Sequence, residues 1–165
     1  MSCLTILEYP DPRLRLKAKP VTDFDSTLAR QIDDLLDTLY ATNGIGLAAS
    51  QVNLHRQLLV IDMSEGRNQP QVFVNPRIVS RQMTAMVEES CLSVPGVAGN
   101  VARSARIDVH YQDRHGVAHA LNADGVLAVC LQHEMDHLDG KLFVDRLSLF
   151  KRLRIRVSSR ARLSG

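Results

Sequence analysis

The residues of this chain most able to do chemistry are His133, His137 and the intervening Glu134. On an α-helix, residues four apart lie on one face, about 6 Å apart along the axis, so both imidazoles could bind one metal ion. A glutamate beside the first histidine could then transfer a proton next to that ion. The spacing therefore predicts a metal-dependent hydrolase. The alternative is that hydrogen bonds within the core satisfy two buried histidines.

A helix over residues 125–138 is predicted to carry these side chains. Asp124 is a suitable N-cap, and after Gly125 no Pro or Gly follows until Gly140, which suits a helix C-terminus. The first half of the segment is mostly apolar, so we expect this helix to be buried. Buried His and Glu side chains need polar partners, and a metal site would supply them.

A third metal ligand is expected upstream of this helix. Common metalloprotease motifs place a glutamate or histidine downstream, but this chain offers only Asp139 and Asp145 there. The upstream candidates are His55, His110, His115, His119, Cys3, Cys91 and Cys130.

Among these candidates for the third metal ligand, Cys91 has the most suitable position in the sequence. Cys130 is about 10 Å in helical rise from His137, too far for a Zn–S bond of about 2.3 Å, so we expect it in the core or a pocket wall. The three histidines of the predicted hairpin over residues 106–122 fall at polar or turn positions, where solvent exposure is expected. Cys91 precedes a Pro/Gly turn, from which its sulfur could reach a helix packed behind. The alternative is a plain buried thiol.

Three motifs follow one another along the chain. Gly44–Gln51 reads GIGLAASQ, Glu89–Ser93 reads ESCLS and Gln132–Leu138 reads QHEMDHL. In order and spacing they match G-x-G-L-A-A-x-Q, E-G-C-L-S and Q-H-E-x-D-H-L, so the chain resembles the peptide deformylase family over essentially its whole length. Ser90 stands in place of the glycine of the second motif. Residues 96–100 read GVAGN, where many bacterial members carry an arginine.

The resemblance implies a reaction and a cofactor. The reaction is metal-dependent hydrolysis of the N-formyl group from formyl-methionyl N-termini of nascent polypeptides, which releases formate. The implied metal ligands are Cys91, His133 and His137, with water in the fourth position. The resemblance implies Fe²⁺, and thiolate and imidazole ligands also accept Zn²⁺, Ni²⁺ or Co²⁺.

The resemblance also implies the catalytic residues and a substrate pocket. Glu134 is the implied general base and acid. The side chain of Gln51 and the backbone N–H of Leu92 are the implied donors to the oxyanion, and one such donor is typically worth about 3 kcal/mol. A methionine-sized apolar pocket is implied as well. The residues that we expect to border it are Ile45, Gly46, Leu92, Val129 and Cys130.

The elements around the motifs predict an α+β fold, in which antiparallel strands pack around a central buried catalytic helix. An amphipathic helix is predicted from Ser26 to Tyr40, ending at Asn43–Gly44. Strands are predicted over residues 57–61, over 71–74 and in the 106–122 hairpin, with a bend between strands at Asn75–Pro76. Glu89 is either paired with Arg103 or solvated, and we expect the structural ion pair.

Composition sets broader limits. A length of 165 residues predicts one catalytic domain over residues 1–165. No apolar run reaches 18 residues, and the N-terminus has no evident signal peptide, so neither a membrane partner nor export is expected. Three cysteines, an odd number, argue against a disulfide framework. The predicted location is the cytoplasm.

Residues 151–165 form a basic tail, predicted to be a C-terminal helix. They hold six basic residues and no acidic one, whereas the remainder holds 14 basic and 18 acidic residues, a net charge of −4. The tail therefore supplies the whole positive net charge. It is either a solvated helix end whose cations favour the helix dipole, or a contact for ribosomal RNA; no DNA binding is expected.

Two other functions fit parts of the sequence. A zinc metalloprotease would use the two histidines and Glu134, but its usual downstream ligand is missing. A catalytically weak or silent relative that binds ribosomes would use the basic tail, and two features suggest it: the replacement at Ser90 and the altered loop over residues 96–100.

Overall fold

A computed structural model describes residues 3–163, and of residues 160–163 the backbone alone. Three α-helices are present among the described residues: α1 (Ser26–Tyr40), α2 (Gly125–Leu138) and α3 (Leu149–Leu163). The strands are β1 (Gly46–Ala48), β2 (Leu58–Ile61), β3 (Gln71–Cys91), β4 (Val94–Gln112) and β5 (Ala118–Asp124). Short 3-10 helices span Pro12–Arg15, Ala49–Val52 and Phe143–Arg146.

The five strands form one antiparallel sheet in the order β1-β2-β3-β4-β5, each strand pairing with the next along the chain. This arrangement confirms the predicted α+β class. Helix α2 is largely buried, as predicted for the helix that carries the histidine motif.

Strand β2 explains how helices α1 and α2 are placed. Leu59 and Ile61 belong to a core shared with Ala128, Leu131 and Leu138 of α2. The alternate residues of β2, with the apolar stripe of α1, belong to a second core on the other face of the sheet. Because successive side chains of a strand point to opposite faces, a strand covered on both faces reads as an unbroken apolar run.

Helix α1 begins where the sequence indicates. The carboxylate of Asp25 accepts hydrogen bonds from the backbone N–H groups of Thr27 (3.0 Å) and Leu28 (2.9 Å), which is the usual N-cap arrangement. The helix ends at Tyr40, slightly before the predicted Asn43–Gly44.

Helix α2 has the predicted bounds. Asp124 occupies its N-cap position without a side-chain capping bond; the carboxylate lies 3.8 Å from Nη2 of Arg106 instead. Gly140 follows the helix at φ +71°, and a Cβ there would overlap the backbone oxygen of Arg15. Only glycine fits that turn, so the C-terminal stop predicted from Gly140 is confirmed.

The β3–β4 hairpin is the main feature that the sequence analysis missed. Strand β3 runs from Gln71 to Cys91, whereas only residues 71–74 were predicted, and β4 starts at Val94 instead of near residue 106. Most side chains of β3 beyond residue 76 are exposed or half-buried, so the sequence lacks the regular apolar alternation that marks a strand.

The bend predicted at Asn75–Pro76 between strands is wrong. The chain there makes a bulge inside β3, where the pairing with β4 shifts between Val74 and Arg77. Asn75 adopts φ +50°, and its side chain bonds to the backbone N–H (2.8 Å) and oxygen (2.9 Å) of Val21. The side-chain bonds stabilise a conformation that Asn adopts more readily than most residues.

Helix α3 carries the basic residues of the C-terminal tail, as predicted. Its exposed side chains include Lys151, Arg152, Arg154 and Arg156. Within residues 3–163, no helix combines the length and apolar character needed to span a membrane.

Candidate metal centre

Cys91 ends β3 and faces Val94 across the tight turn Leu92–Ser93. The turn contacts the N-terminal segment, where the N–H of Tyr9 donates a 2.7 Å hydrogen bond to the Ser93 backbone oxygen. The Ser93 hydroxyl also accepts a 3.1 Å bond from the side chain of Gln51. These contacts attach the tip of the hairpin to the N-terminal segment and to the 3-10 helix Ala49–Val52.

Three possible ligand atoms converge at that point. Sγ of Cys91 lies 3.1 Å from Nε2 of His137, which lies 3.3 Å from Nε2 of His133. All three atoms lie within 4.8 Å of one another. Two nitrogens bound tetrahedrally at 2.0–2.1 Å to one ion would be about 3.3 Å apart, so the spacing fits a metal site. The group could hold a metal ion, and a thiolate with two imidazoles suits several divalent transition metals.

Glu89 fixes the orientation of the first histidine. Its Oε2 lies 2.7 Å from Nδ1 of His133, so Nδ1 donates to the carboxylate and Nε2 faces the cluster. Burial opposes the charge of Glu89, but hydrogen bonds from His133 and Arg103 outweigh it and lower the pKa of Glu89 to about 2. The carboxylate is therefore ionised and can only accept.

The predicted ion pair between Glu89 and Arg103 is confirmed. Nε of Arg103 lies 2.6 Å from Oε1 of Glu89, and Nη2 lies 3.0 Å from Oε2. Both side chains are almost fully buried, with 2% and 5% of their surface exposed. The contact from Glu89 to His133 was not predicted, although the sequence places Glu89 only two residues before Cys91.

Asp136 extends this network on the far side of Arg103. Its Oδ2 accepts a 2.6 Å bond from Nη1 of Arg103, and its carboxylate accepts two 3.0 Å bonds from Arg146. Asp136 thus binds arginines from β4 and from the 3-10 helix after α2. No role for Asp136 was predicted from the sequence, because its partners are distant in sequence.

Two further motif residues fix the position of α2. The side chain of Gln132 accepts a 3.0 Å bond from the N–H of Ser104 and donates a 2.8 Å bond to the Ser104 backbone oxygen. This pair of bonds attaches the helix to β4. Ser50 donates a 2.9 Å bond to the backbone oxygen of His137. Neither contact was predicted, although Gln132 and Ser50 both lie inside matched motifs, which is the feature that could have indicated a role.

Glu134 lies beside the three-residue cluster and is 5% exposed. A Cβ on Gly46 would lie 2.9 Å from its Oε1, so strand β1 passes directly over the carboxylate. Its Oε2 has no hydrogen-bond partner within the described chain. Burial raises the pKa of Glu134 to about 7. A carboxyl group with such a pKa can accept and return a proton near neutral pH.

The two predicted oxyanion donors lie next to the cluster. Oε1 of Gln51 accepts a 2.8 Å bond from the N–H of Ala48, which orients the amide. Nε2 of Gln51 lies 3.7 Å from Sγ of Cys91. Leu92 directly follows Cys91 in the hairpin turn. Gln51 and Leu92 both line the cleft above the cluster.

That cleft has a volume of about 560 Å³. The residues predicted to border a substrate pocket all line it, namely Ile45, Gly46, Leu92, Val129 and Cys130. Its wall also includes Glu88, Ser90, Gly96, Val97 and Val126, which were not predicted as pocket residues. Residues 96–100 belong to strand β4, and the first two of them, Gly96 and Val97, line the cleft.

The other candidate ligands lie elsewhere in the described structure. Cys130 is buried in the cleft wall, and burial raises the pKa of its thiol well above the usual value. His110, His115 and His119 are exposed, as predicted, and Nε2 of His119 lies 3.0 Å from Asp113. Cys3 is exposed and His55 is half-buried. Within residues 3–159, three possible ligands come together at Cys91, His133 and His137.

Comparisons with known proteins agree with the resemblance in sequence. Residues 3–153 match the family model of polypeptide deformylases. The chain is 55% identical over 159 residues to peptide deformylase 2 of Xanthomonas axonopodis pv. citri, with 94% of both chains covered. It is 51% identical over 162 residues to the peptide deformylase of Chromobacterium violaceum, with 98% and 97% covered.

Solved structures show the same similarity. The crystal structure of a peptide deformylase from Legionella pneumophila matches with a TM-score of 0.93 and 44% identity, covering 99% of this chain and 98% of that one. The peptide deformylase from Ehrlichia chaffeensis in complex with actinonin matches with a TM-score of 0.93 and 38% identity, covering 98% of each chain.

Proposed function

The chain belongs to the peptide deformylase family, and we propose that it removes the formyl group from formyl-methionyl N-termini of nascent polypeptides at the Cys91 cluster. The observation that carries this proposal is the convergence of Cys91, His133 and His137 beside the buried Glu134, at the base of an open cleft. The comparisons favour neither the metalloprotease nor a catalytically silent relative.

Cys91, His133 and His137 would hold one divalent metal ion, and we propose Fe²⁺, with Zn²⁺, Ni²⁺ or Co²⁺ as other ions that this ligand set accepts. Such an ion, when bound, lowers the pKa of water from 15.7 toward about 7 and polarises a carbonyl group.

Glu134 handles the proton of the reaction. Its carboxylate takes a proton from the water that attacks the formyl carbon, and it then returns that proton to the leaving amine as the C–N bond breaks. The products are formate and a free methionyl amine. Two features support this role: the carboxylate is buried next to the ligand cluster, and its Oε2 lacks a partner within the described chain.

Gln51 and Leu92 stabilise the negative charge that develops on the formyl oxygen. The amide of Gln51 is held by the N–H of Ala48 and the hydroxyl of Ser93, so its Nε2 is oriented before substrate binds. Donors held in place in this way need no reorganisation during the reaction, and each typically contributes about 3 kcal/mol.

The methionine side chain of the substrate would occupy the apolar part of the cleft. Ile45, Val129 and Cys130 are the side chains that we assign to this pocket. Gly46 lies against Cys130 and Glu134, and its lack of a side chain would let the peptide backbone approach closely.

The test is formate release from formyl-Met-Ala-Ser by protein purified without oxygen, with the metal content measured alongside. We expect one equivalent of formate for each new amine and one metal ion per chain. A Cys91→Ala variant should lose both the metal and the activity. A protein that cleaves internal peptide bonds without forming formate, or that binds no stoichiometric metal, would contradict the proposal.

We also propose that the basic tail contacts the ribosome, where nascent chains emerge, and that residues 1–165 act as one catalytic domain in the cytoplasm. The exposure of Lys151, Arg152 and Arg154 on α3 supports an RNA contact. Deletion of residues 151–165 should weaken ribosome association and leave turnover of a short formyl-peptide intact. Unchanged ribosome binding would refute this role.

A further inference from the structure

The segment before β1 forms one wall of the cleft. Gly44, Ile45 and Gly46 all line it, but the pairing of β1 with β2 begins only at Gly46. Gly44 packs directly on the hairpin turn that follows Cys91, since a Cβ there would lie 2.7 Å from Cδ1 of Leu92. The position of the Gly44 backbone therefore determines how closely this wall approaches Leu92.

Arg67 holds that backbone from outside the cleft. Its Nη2 donates a 3.1 Å hydrogen bond to the Gly44 backbone oxygen and a 2.8 Å bond to that of Leu39, at the end of α1. The guanidinium also lies over the ring of Tyr40, 5.5 Å from its centroid. Hydrogen bonds from a charged donor are roughly twice as strong as neutral ones. One side chain thus ties the end of α1 to the cleft wall.

The loop that presents Arg67 is itself firmly held. The buried carboxylate of Asp62 accepts bonds from the N–H (2.9 Å) and hydroxyl (2.6 Å) of Ser64 and from the N–H of Gln69 (3.1 Å). It accepts a further 2.8 Å bond from the hydroxyl of Tyr40. The N–H of Asp62 donates a 2.9 Å bond to the Ile45 backbone oxygen. Arg67 and Asp62 therefore support the carbonyl groups of Gly44 and Ile45 in the wall segment.

We propose that Arg67 is a positioning residue for substrate binding, which acts by fixing the Gly44 backbone in the cleft wall. This inference rests on the proposed function, because the wall is assigned to the formyl-peptide. Loss of Arg67 frees the Gly44 carbonyl, so the wall segment moves more and the peptide binds more weakly. The Cys91 cluster has no bond to Arg67 within the described structure, so metal binding is unaffected.

The test compares Arg67→Ala and Arg67→Lys with Arg56→Ala. Arg56 is a matched control: it is a half-buried arginine whose Nη1 donates a 3.0 Å bond to Gln31, away from the cleft. For formyl-Met-Ala-Ser we expect Arg67→Ala to raise KM at least fivefold while kcat stays within about twofold. Arg67→Lys keeps the positive charge and one donor nitrogen, so its KM should lie between those of Arg67→Ala and the wild-type protein. Arg56→Ala should leave KM unchanged.

Amide hydrogen exchange of residues 43–46 gives a readout that does not need activity. Exchange should be faster in Arg67→Ala than in the wild-type and Arg56→Ala proteins, at equal metal content. A KM within twofold of wild type, unchanged exchange, or metal loss in step with the KM change would overturn the proposal. If Arg67→Ala fails to fold, the test rests on Arg67→Lys. A rise in its KM and in its exchange rate over the wild-type values, smaller than that expected for Arg67→Ala, supports the proposal, and unchanged values overturn it. If the wild-type protein releases no formate, the proposed function fails, and the exchange measurement still decides the role of Arg67.

Discussion

The carboxylate of Glu89 accepts a 2.7 Å hydrogen bond from Nδ1 of His133, while its other contacts go to the buried guanidinium of Arg103. Glu89 therefore connects a proposed metal ligand to a buried cation. The bond fixes both the tautomer and the direction of the ring, and side chains in this position commonly raise the basicity of the ligand.

Replacing Glu89 should weaken metal binding. In Glu89→Gln we expect metal affinity to fall about 10- to 100-fold, because the amide no longer provides a charged acceptor for Nδ1 of His133. Competition with a chelator of known affinity measures the change. Glu88→Gln is the matched control, since Glu88 is the exposed neighbour on the same strand. Equal affinities of the two variants would show that the Glu89 contact does not orient the ligand.

Removing Arg103 should destabilise the fold. Arg103 is 3% exposed and pairs with both Glu89 and Asp136, so Arg103→Ala leaves two carboxylates without their buried cation. We expect the free energy of unfolding to fall by about 3–5 kcal/mol, measured by urea denaturation. Arg106→Ala, which removes an exposed arginine 3.8 Å from Asp124, should change it by less than about 1 kcal/mol. A similar loss in both variants would count against the buried network.

Glu134→Gln should separate catalysis from metal binding. The amide keeps the size of the carboxylate and cannot take a proton, so we expect kcat to fall by about 10²- to 10⁴-fold. The metal content should equal that of the wild-type protein, because Glu134 is outside the three-residue ligand group. Formate release and metal analysis on the same preparation check both points. A kcat within tenfold of wild type would rule out Glu134 as the proton carrier.

Gly46→Ala should disturb the site by steric overlap alone. A Cβ at this position would lie 2.8 Å from Sγ of Cys130 and 2.9 Å from Oε1 of Glu134, so one of these groups must move. Displacement of a catalytic group by about 1 Å can cost about 10²-fold in rate, and we expect kcat/KM to fall at least tenfold. Gly66→Ala is the control, because its Cβ would meet only the flexible side chain of Asn68, at 3.2 Å. Equal kcat/KM values for Gly46→Ala and the wild-type protein would show that the approach of β1 to Glu134 is not needed.

The sequence was informative wherever the structure depends on neighbours along the chain. Helix α1, helix α2 and the stop at Gly140 follow from the apolar period, caps and turn residues, which act over four residues or fewer. The spacing of His133 and His137 placed both rings on one helical face, which is again a local property. The ion pair of Glu89 with Arg103 is an exception: it joins residues 14 apart in sequence, yet it was predicted and the structure confirms it.

The extent of β3 and β4 could not be predicted in this way. Their pairing joins residues such as Val74 and Gln112, and most of β3 is too exposed to show an apolar alternation. Strand pairing depends on contacts between segments far apart in sequence, so no local window contains the signal. From the sequence, Cys91 was therefore predicted to lie where a strand meets a loop. The long hairpin that brings Cys91 to α2 was not predicted.

The sequence by itself identified the candidate metal ligands, a candidate proton carrier in Glu134 and the family that the chain resembles. Only the tertiary structure decided that the sulfur of Cys91 lies 3.1 Å from His137, that Glu89 and Asp136 share Arg103, and that Arg67 supports the Gly44 wall. The physical reason is that buried polar groups must find partners wherever packing places them. Those partners come from strands and loops that only the packed sheet brings together.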